Sequence, residues 1–171
     1  MSNIPKSPAK YIIHPLQTNR PLCVSKEDYS RPCLGPRPVV SVLYPIDKPP
    51  KAGTTFHMFT QSYTVDPSFH QFEVVGVLGE NIYEISFDSM GVADEDDRVS
   101  AYPQFPPERY VITYREKHQA STIMKEGTDL VWSHALEHPA GQQVHLSLLE
   151  ESSSTVPDYQ LFRFEHVPED E

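Results

Sequence analysis

Short runs of Phe, Tyr, Val, Ile and Thr, bounded by Gly, Asp, Pro or Ser, follow one another from residue 54 almost to the end of the chain. Such runs are typical of β-strands, and no long stretch shows the 3.6-residue periodicity of an amphipathic helix. We expect helix to be a minor component, confined to one or two turns within residues 118–126. With a strand at 39–44, the pattern predicts about eight strands, the others lying at residues 54–65, 71–78, 82–87, 110–116, 130–136, 143–149 and 159–166.

Turn residues predict two antiparallel hairpins. Gly79-Glu80-Asn81 separates residues 72–78 from 82–87, and Pro139-Ala140-Gly141 separates residues 130–136 from 144–148. Because short strands with little helix can bury their apolar faces only on one another, we predict an all-β fold. An antiparallel β-sandwich and a closed β-barrel of about eight strands both satisfy this pattern. The sequence shows no internal repeat.

Proline is concentrated near the N-terminus, where ten of the 17 prolines fall within the first 50 residues. Each proline removes a backbone hydrogen-bond donor and keeps the preceding residue extended. We therefore predict a proline-rich extended arm at residues 1–37, an antiparallel β domain at 38–167 and an acidic tail at 168–171. Residues 88–107 and 150–158 are polar and long for hairpin loops, so we expect them to be linkers.

Charge and motif content narrow the classes of function. Asp and Glu outnumber Lys and Arg by 24 to 14, and a net charge of −10 disfavours binding to nucleic acid or an anionic membrane. No secretory signal is apparent, and we expect a cytoplasmic location with Cys23 and Cys33 as free thiols. No G-x-S-x-G motif or glycine-rich phosphate loop is present, so the sequence indicates no cofactor and no named reaction.

Residues two apart in a strand share a face, so polar residues that alternate with apolar ones are candidates for a site. His134 alternates with Trp132, and Tyr110 alternates with Tyr114, whereas His145 is expected to face solvent. The weak candidates for acid–base groups are His134, His57, Tyr114 and Tyr110. The candidates for ligand-binding residues are Trp132, His166 and Tyr63.

Two sequence patterns resemble metal sites without satisfying them. Residues 134–138 read His-Ala-Leu-Glu-His, which grips zinc only when a helix brings both histidines onto one face, and a strand is predicted here. The acidic run from Asp94 to Asp97 lacks the spacing and the glycine of a calcium loop, which favours a solvated loop. We predict no metal site.

Two functions are compatible with these features. In the first, the chain is a non-catalytic binding or assembly module, whose β domain and arm dock a protein partner or another copy. In the second, it is a small β-barrel enzyme or carrier, of isomerase, cyclase or lyase type, that holds an apolar or aromatic small molecule near its His and Tyr side chains. The extended arm favours the first function.

Overall fold

The computed structural model describes residues 5, 7–24, 36–41, 55–58, 61–64, 70–77, 81–103, 105–135 and 143–168, and at residues 41, 55–58 and 61–64 it describes the backbone only. Two single turns of 3-10 helix lie at Glu116–His118 and Asp158–Gln160. Within the described ranges there is no α-helix. The strands are β1 (Ala9–Pro15), β2 (Leu22–Val24), β3 (Arg37–Ser41), β4 (Thr55–Met58), β5 (Gln61–Thr64), β6 (Gln71–Gly76), β7 (Ile82–Phe87), β8 (Met90–Glu95), β9 (Arg98–Tyr102), β10 (Arg109–Arg115), β11 (Ala120–Lys125), β12 (Leu130–Ser133), β13 (His145–Leu148) and β14 (Phe162–Val167).

Antiparallel pairing closes the sheet on itself. A ring of six strands runs β1–β6–β7–β10–β11–β14 and returns to β1, so these strands form a closed barrel. A longer closed path of nine strands follows β6–β1–β14–β11–β12–β13–β9–β8–β7 and includes the hairpins at one end. The all-β prediction is confirmed, and the architecture is the closed barrel rather than the sandwich.

Three units of four strands make up the barrel and its hairpin layer. The first and last strands of each unit belong to the six-stranded ring, and the middle two form a hairpin: β2–β3, β8–β9 and β12–β13. The hairpins meet at three buried valines, where Val99 N–H donates to the carbonyl of Val144 and Val144 N–H donates to that of Val39, both at 2.9 Å. The backbone therefore repeats three times although the sequence shows no repeat. A separate hairpin, β4–β5, lies between β3 and β6 in the chain.

Several local predictions are tested by the strand register. Both predicted hairpins are confirmed, β6 with β7 and β12 with β13. The expected helical turns within 118–126 are wrong, because residues 120–125 form β11. The expected linker at 88–107 is also wrong, because it contains the hairpin β8–β9. Residues 9–15 of the predicted arm form β1, which is paired on both sides, with β6 and with β14.

Large apolar side chains from the barrel and the hairpins share one core. Trp132, Tyr110, Phe72 and Phe162 are fully buried within it. The ring centroids of Phe72 and Phe87 are 5.3 Å apart, an aromatic contact that adds to the free energy gained by burial. Burying a side chain of this size stabilises the folded state by about 1.5–3 kcal/mol. None of the described helices is long and apolar enough to cross a membrane.

Candidate functional site

Three of the predicted site residues lie in the core. Tyr110, Trp132 and His134 each have 0% of their surface exposed. The rings of Tyr110 and Trp132 meet edge to face at 5.4 Å, and Trp132 meets Phe162 in the same way at 6.0 Å. Burial raises the pKa of the Tyr110 hydroxyl well above its ordinary value, and the negative charge of Glu108 adds to this shift. The structure brings these aromatic candidates together, but away from solvent.

The other predicted residues lie on different elements of the structure. Tyr114 is half-buried on β10, where it pairs with Ser121 of β11. His166 is exposed on β14, and its ring lies 5.4 Å from that of Tyr11. His57 and Tyr63 belong to the hairpin β4–β5, and their side chains lie outside the described part of the structure. The catalytic and ligand-binding roles assigned to the seven candidates remain predictions.

A partly buried ionic cluster lies beside Tyr110. Lys125 Nζ is 2.7 Å from Asp94 Oδ1 and 3.1 Å from Glu108 Oε1, so one cation joins β8, the start of β10 and β11. Burial acts to raise the pKa of Asp94, but hydrogen bonds from Glu108 and Lys125 lower it overall. Burial and the neighbouring Asp94 raise the pKa of Glu108. The charged groups of this cluster pair with one another, and we assign the cluster a role in the stability of the fold.

An open groove of about 510 Å³ lies on the hairpin layer, and none of its residues was among the sequence candidates. Gln143 is held in its wall by two donated hydrogen bonds, to the Val99 carbonyl at 3.1 Å and to Ser100 Oγ at 3.2 Å. The exposed side chains of Glu95, Asp96 and Arg98 bring charge to the groove. The groove is lined by Pro36, Pro38, Glu95, Asp96, Arg98, Ser100, Tyr102 and Gln143.

Tyr102 is the aromatic residue of this groove. Its hydroxyl donates a hydrogen bond to Glu95 Oε2 at 3.3 Å. Burial and the negative charge of Glu95 raise the pKa of Tyr102 to about 12, so the hydroxyl stays neutral over the physiological range. The ring of Tyr102 also makes a T-shaped contact with the ring of Phe105, with centroids 6.1 Å apart. An aromatic ring among hydrogen-bonding and charged groups can contact a ligand both through its face and through polar atoms.

Comparison with known proteins relates this chain to others by fold. No protein-family model matches the sequence, and no curated protein does. A proteinase inhibitor from Coprinopsis cinerea matches with a TM-score of 0.68 and 16% identity, covering 95% of this chain and 100% of the inhibitor. A structure named BEL beta-trefoil matches with a TM-score of 0.59 and 14% identity, covering 96% of this chain and 97% of the other. The fold is a β-trefoil.

A second comparison comes from a lectin. The ricin B-like lectin of Macrolepiota procera, solved in complex with lactose, matches with a TM-score of 0.61 and 14% identity over 94% of this chain and 97% of the lectin. The β-trefoil accounts for the three four-stranded units and for the hairpin layer that carries the groove. At these identities the similarity establishes the fold alone.

The groove residues could not be selected from the sequence by strand alternation. Arg98, Tyr102 and Gln143 come from a predicted linker and from the start of a predicted strand, and they meet only because three hairpins converge. The one feature of the sequence that pointed to this part of the surface was the acidic run before Arg98, which predicted a solvated loop. Asp96 and Asp97 do form the turn between β8 and β9, both with positive φ.

Proposed function

We propose that this β-trefoil is a non-catalytic binding protein whose ligand is another protein, engaged through the hairpin layer. The observation that carries the proposal is the contrast between interior and surface. Tyr110, Trp132 and His134, which a small barrel enzyme or carrier would use around a cavity, have no solvent exposure, whereas the groove beside Tyr102 is open. Binding at the surface needs no path into the core.

A proteinase is the class of partner that we infer first. The proteinase inhibitor that shares the fold covers nearly the whole of this chain, and its name states a function of binding another protein. Inhibitors and proteinases meet over interfaces of about 800 Å² on each side, which needs a rigid surface rather than a deep pocket. The hairpin layer of this molecule supplies such a surface, since its strands are paired across three units.

The experiment measures binding of the full chain to four immobilised proteinases, trypsin, chymotrypsin, subtilisin and papain, together with their residual activity on a small peptide substrate. We expect saturable binding with a submicromolar Kd to at least one of them, accompanied by loss of activity. Light scattering of the chain alone separates a foreign partner from self-assembly. A mass of 19.5 kDa fits a monomer that binds others, and a multiple of it favours another copy as the partner.

A carbohydrate is the second candidate ligand, favoured by the polar groove itself. Tyr102, Arg98 and Gln143 place an aromatic ring, a guanidinium and an amide around one opening. The lectin that shares the fold was solved with lactose. Calorimetric titration with lactose tests this candidate: heat of binding from lactose, with no binding to any of the four proteinases, would replace the first proposal by the second.

A further inference from the structure

Phe105 is an exposed aromatic residue on a surface loop. Its side chain is 66% exposed, and among the described residues only one other large apolar side chain, Leu148, is as exposed. Phe105 lies in the connection between β9 and β10 and touches Tyr102, which also lines the groove. The exposed ring and the groove therefore form one continuous surface.

Proline content restricts the backbone of this connection. Pro103, Pro106 and Pro107 fix their own φ angles, and each also holds the residue before it in an extended conformation. Phe105 precedes Pro106, so its backbone has few alternatives. Less conformational entropy is lost when such a loop is bound, and binding is correspondingly tighter.

The loop is also held against the neighbouring strand. A Cβ atom on Gly91 of β8 would lie 2.5 Å from the Phe105 carbonyl oxygen and 2.6 Å from the Pro107 nitrogen, both backbone atoms. Glu108 N–H donates a hydrogen bond to the carbonyl of Val92 at 3.0 Å, which fixes the end of the loop. Glycine at position 91 thus permits a close backbone contact, and the loop presents Phe105 from a rigid base.

The groove beside Phe105 carries negative charge at its other end, where the turn of the hairpin β8–β9 lies. Glu95 accepts the hydrogen bond of Tyr102, and Asp96 and Asp97 follow it as exposed residues of the turn. Arg98 is the one cation in this segment, and the chain as a whole carries a net charge of −10. A surface of this kind attracts partners with basic groups around the contact.

We propose that the loop formed around Pro103, Phe105, Pro106 and Pro107 is the docking element of this protein, with Phe105 as the side chain that enters an apolar pocket of the partner. The partner is a protein whose pocket is bordered by basic side chains, complementary to Glu95, Asp96 and Asp97. Buried aromatic anchors at the centre of an interface supply most of the binding free energy. This inference rests on the proposed function and names the part of the surface that performs it.

The test compares Phe105→Ala with Leu148→Ala, which removes an equally exposed apolar side chain from β13. Binding is measured to immobilised trypsin, chymotrypsin, subtilisin and papain. For each proteinase that the wild-type chain binds, we expect Phe105→Ala to raise Kd by about 30-fold or more and Leu148→Ala to leave it within about threefold. Both exposed substitutions should leave the urea midpoint nearly unchanged.

Two further measurements test the position of the loop and the contribution of charge separately from the Phe105 side chain. Gly91→Ala keeps Phe105 but forces the loop to shift, and we expect it to weaken binding by about tenfold or more because preorganisation is lost. Raising the salt concentration from about 0.05 M to about 0.5 M should slow association, and Asp96→Asn should reduce that dependence.

The outcomes distinguish failure of this inference from failure of the proposed function. If the wild-type chain binds none of the four proteinases, the proposed function and the inference that rests on it both fail. If the wild-type chain binds and Phe105→Ala binds equally well, the docking loop alone is wrong and the proposed function stands. If the association rate does not depend on salt concentration, the proposal that basic side chains border the pocket of the partner is wrong.

Discussion

Trp132 is the single tryptophan of the chain, and it lies between Tyr110 and Phe162 in the core. We expect Trp132→Ala to lower the free energy of unfolding by roughly 3–5 kcal/mol, because it leaves a cavity in a packed core. Urea unfolding followed by circular dichroism measures this loss. The exposed Leu148→Ala should change stability by less than about 0.5 kcal/mol. A stable Trp132→Ala protein would contradict the structural role assigned to this ring.

Lys125 neutralises two neighbouring carboxylates, so its removal should have an effect that depends on pH. Because folding lowers the pKa of Asp94, its ionised carboxylate stabilises the folded state at pH values above the ordinary pKa of Asp. This stabilisation is lost as the pH falls through the lowered pKa. The contribution of Glu108 depends on pH in the opposite way, because folding raises its pKa. The protonated carboxyl stabilises the folded state at pH values below the ordinary pKa of Glu, and this stabilisation is lost as the pH rises through the raised pKa.

Lys125→Met leaves the two carboxyl groups side by side without their cation. We expect it to lower the free energy of unfolding by roughly 1–3 kcal/mol at pH 7, which is between the effects for exposed and buried ion pairs. The loss should shrink near pH 4, since protonation of Glu108 removes the repulsion. Urea unfolding at both pH values checks this, and an equal loss at both would show that charge is not the cause.

Strand alternation predicted which residues share a face but not which face reaches solvent. His145 was expected to face solvent, and this is wrong, since its exposed fraction is 3%. His145 pairs with Ser133 of β12 and with Arg98 of β9, so it lies within the hairpin layer rather than at its edge. Tyr110 and Trp132 illustrate the same limit: alternation placed them among the residues of one face, while the sequence could not show that both side chains are fully buried.

At the scale of elements, the hairpin β8–β9 supplies part of the groove wall and, through Gly91, contacts the proposed docking loop. Its turn places Asp96 and Asp97 at φ values of 50° and 60°, in the left-handed region. Two successive residues with positive φ are typical of the type I′ turn, which matches the twist of a two-stranded hairpin. Asp tolerates this region better than branched residues do.

The turn makes a prediction at Asp97. Asp97→Val should lower the free energy of unfolding by roughly 1–2 kcal/mol, because a β-branched residue is strained at positive φ. Asp97→Gly is the matched control, since it removes the same carboxylate without strain and should not be destabilised in this way. Thermal unfolding of the two variants compares them. Equal loss in both would assign the effect to the carboxylate rather than to the backbone.

Element type was predictable where alternation and turn residues agreed, as in the hairpins β6–β7 and β12–β13. It was not predictable for β8 and β9, whose residues Met90–Glu95 and Arg98–Tyr102 include Gly, Ala, Ser and two acids and resemble a loop in composition. One or two helical turns were expected within residues 118–126, where periodicity is a weak guide, yet residues 120–125 form β11 and pair with β10. Pairing with other strands, rather than local composition, determines that β8, β9 and β11 are strands.

For the whole molecule, residues 9–15 of the N-terminal segment form part of the barrel. Strand β1 pairs with β6 on one side and with β14 on the other, which closes the barrel between its first and last units. A chain truncated to residues 51–171 should therefore lose the barrel and unfold, as judged by near-ultraviolet circular dichroism. The matched control at 9–171 retains β1, and we expect it to fold. A folded 51–171 chain would contradict the topology.

The threefold arrangement of the backbone was not predictable from this sequence. The three units share strand order and the buried valines Val39, Val99 and Val144, but their turns and side chains differ. An all-β fold follows from the many short strands, whereas closure into a barrel and the order in which the strands pair depend on contacts between residues far apart in the chain. The groove forms only with that order of strand pairing, so it could not be predicted from the sequence either.

The central claim is that this molecule acts by binding at the surface of its hairpin layer and not by chemistry in its interior. The most direct measurement is a nuclear magnetic resonance titration of the labelled chain with each of the four proteinases and with lactose. We predict saturable shift changes at residues 95–107, with the indole N–H of Trp132 unmoved. Shift changes centred on Trp132 and His134, or none with any of these ligands, would contradict the claim.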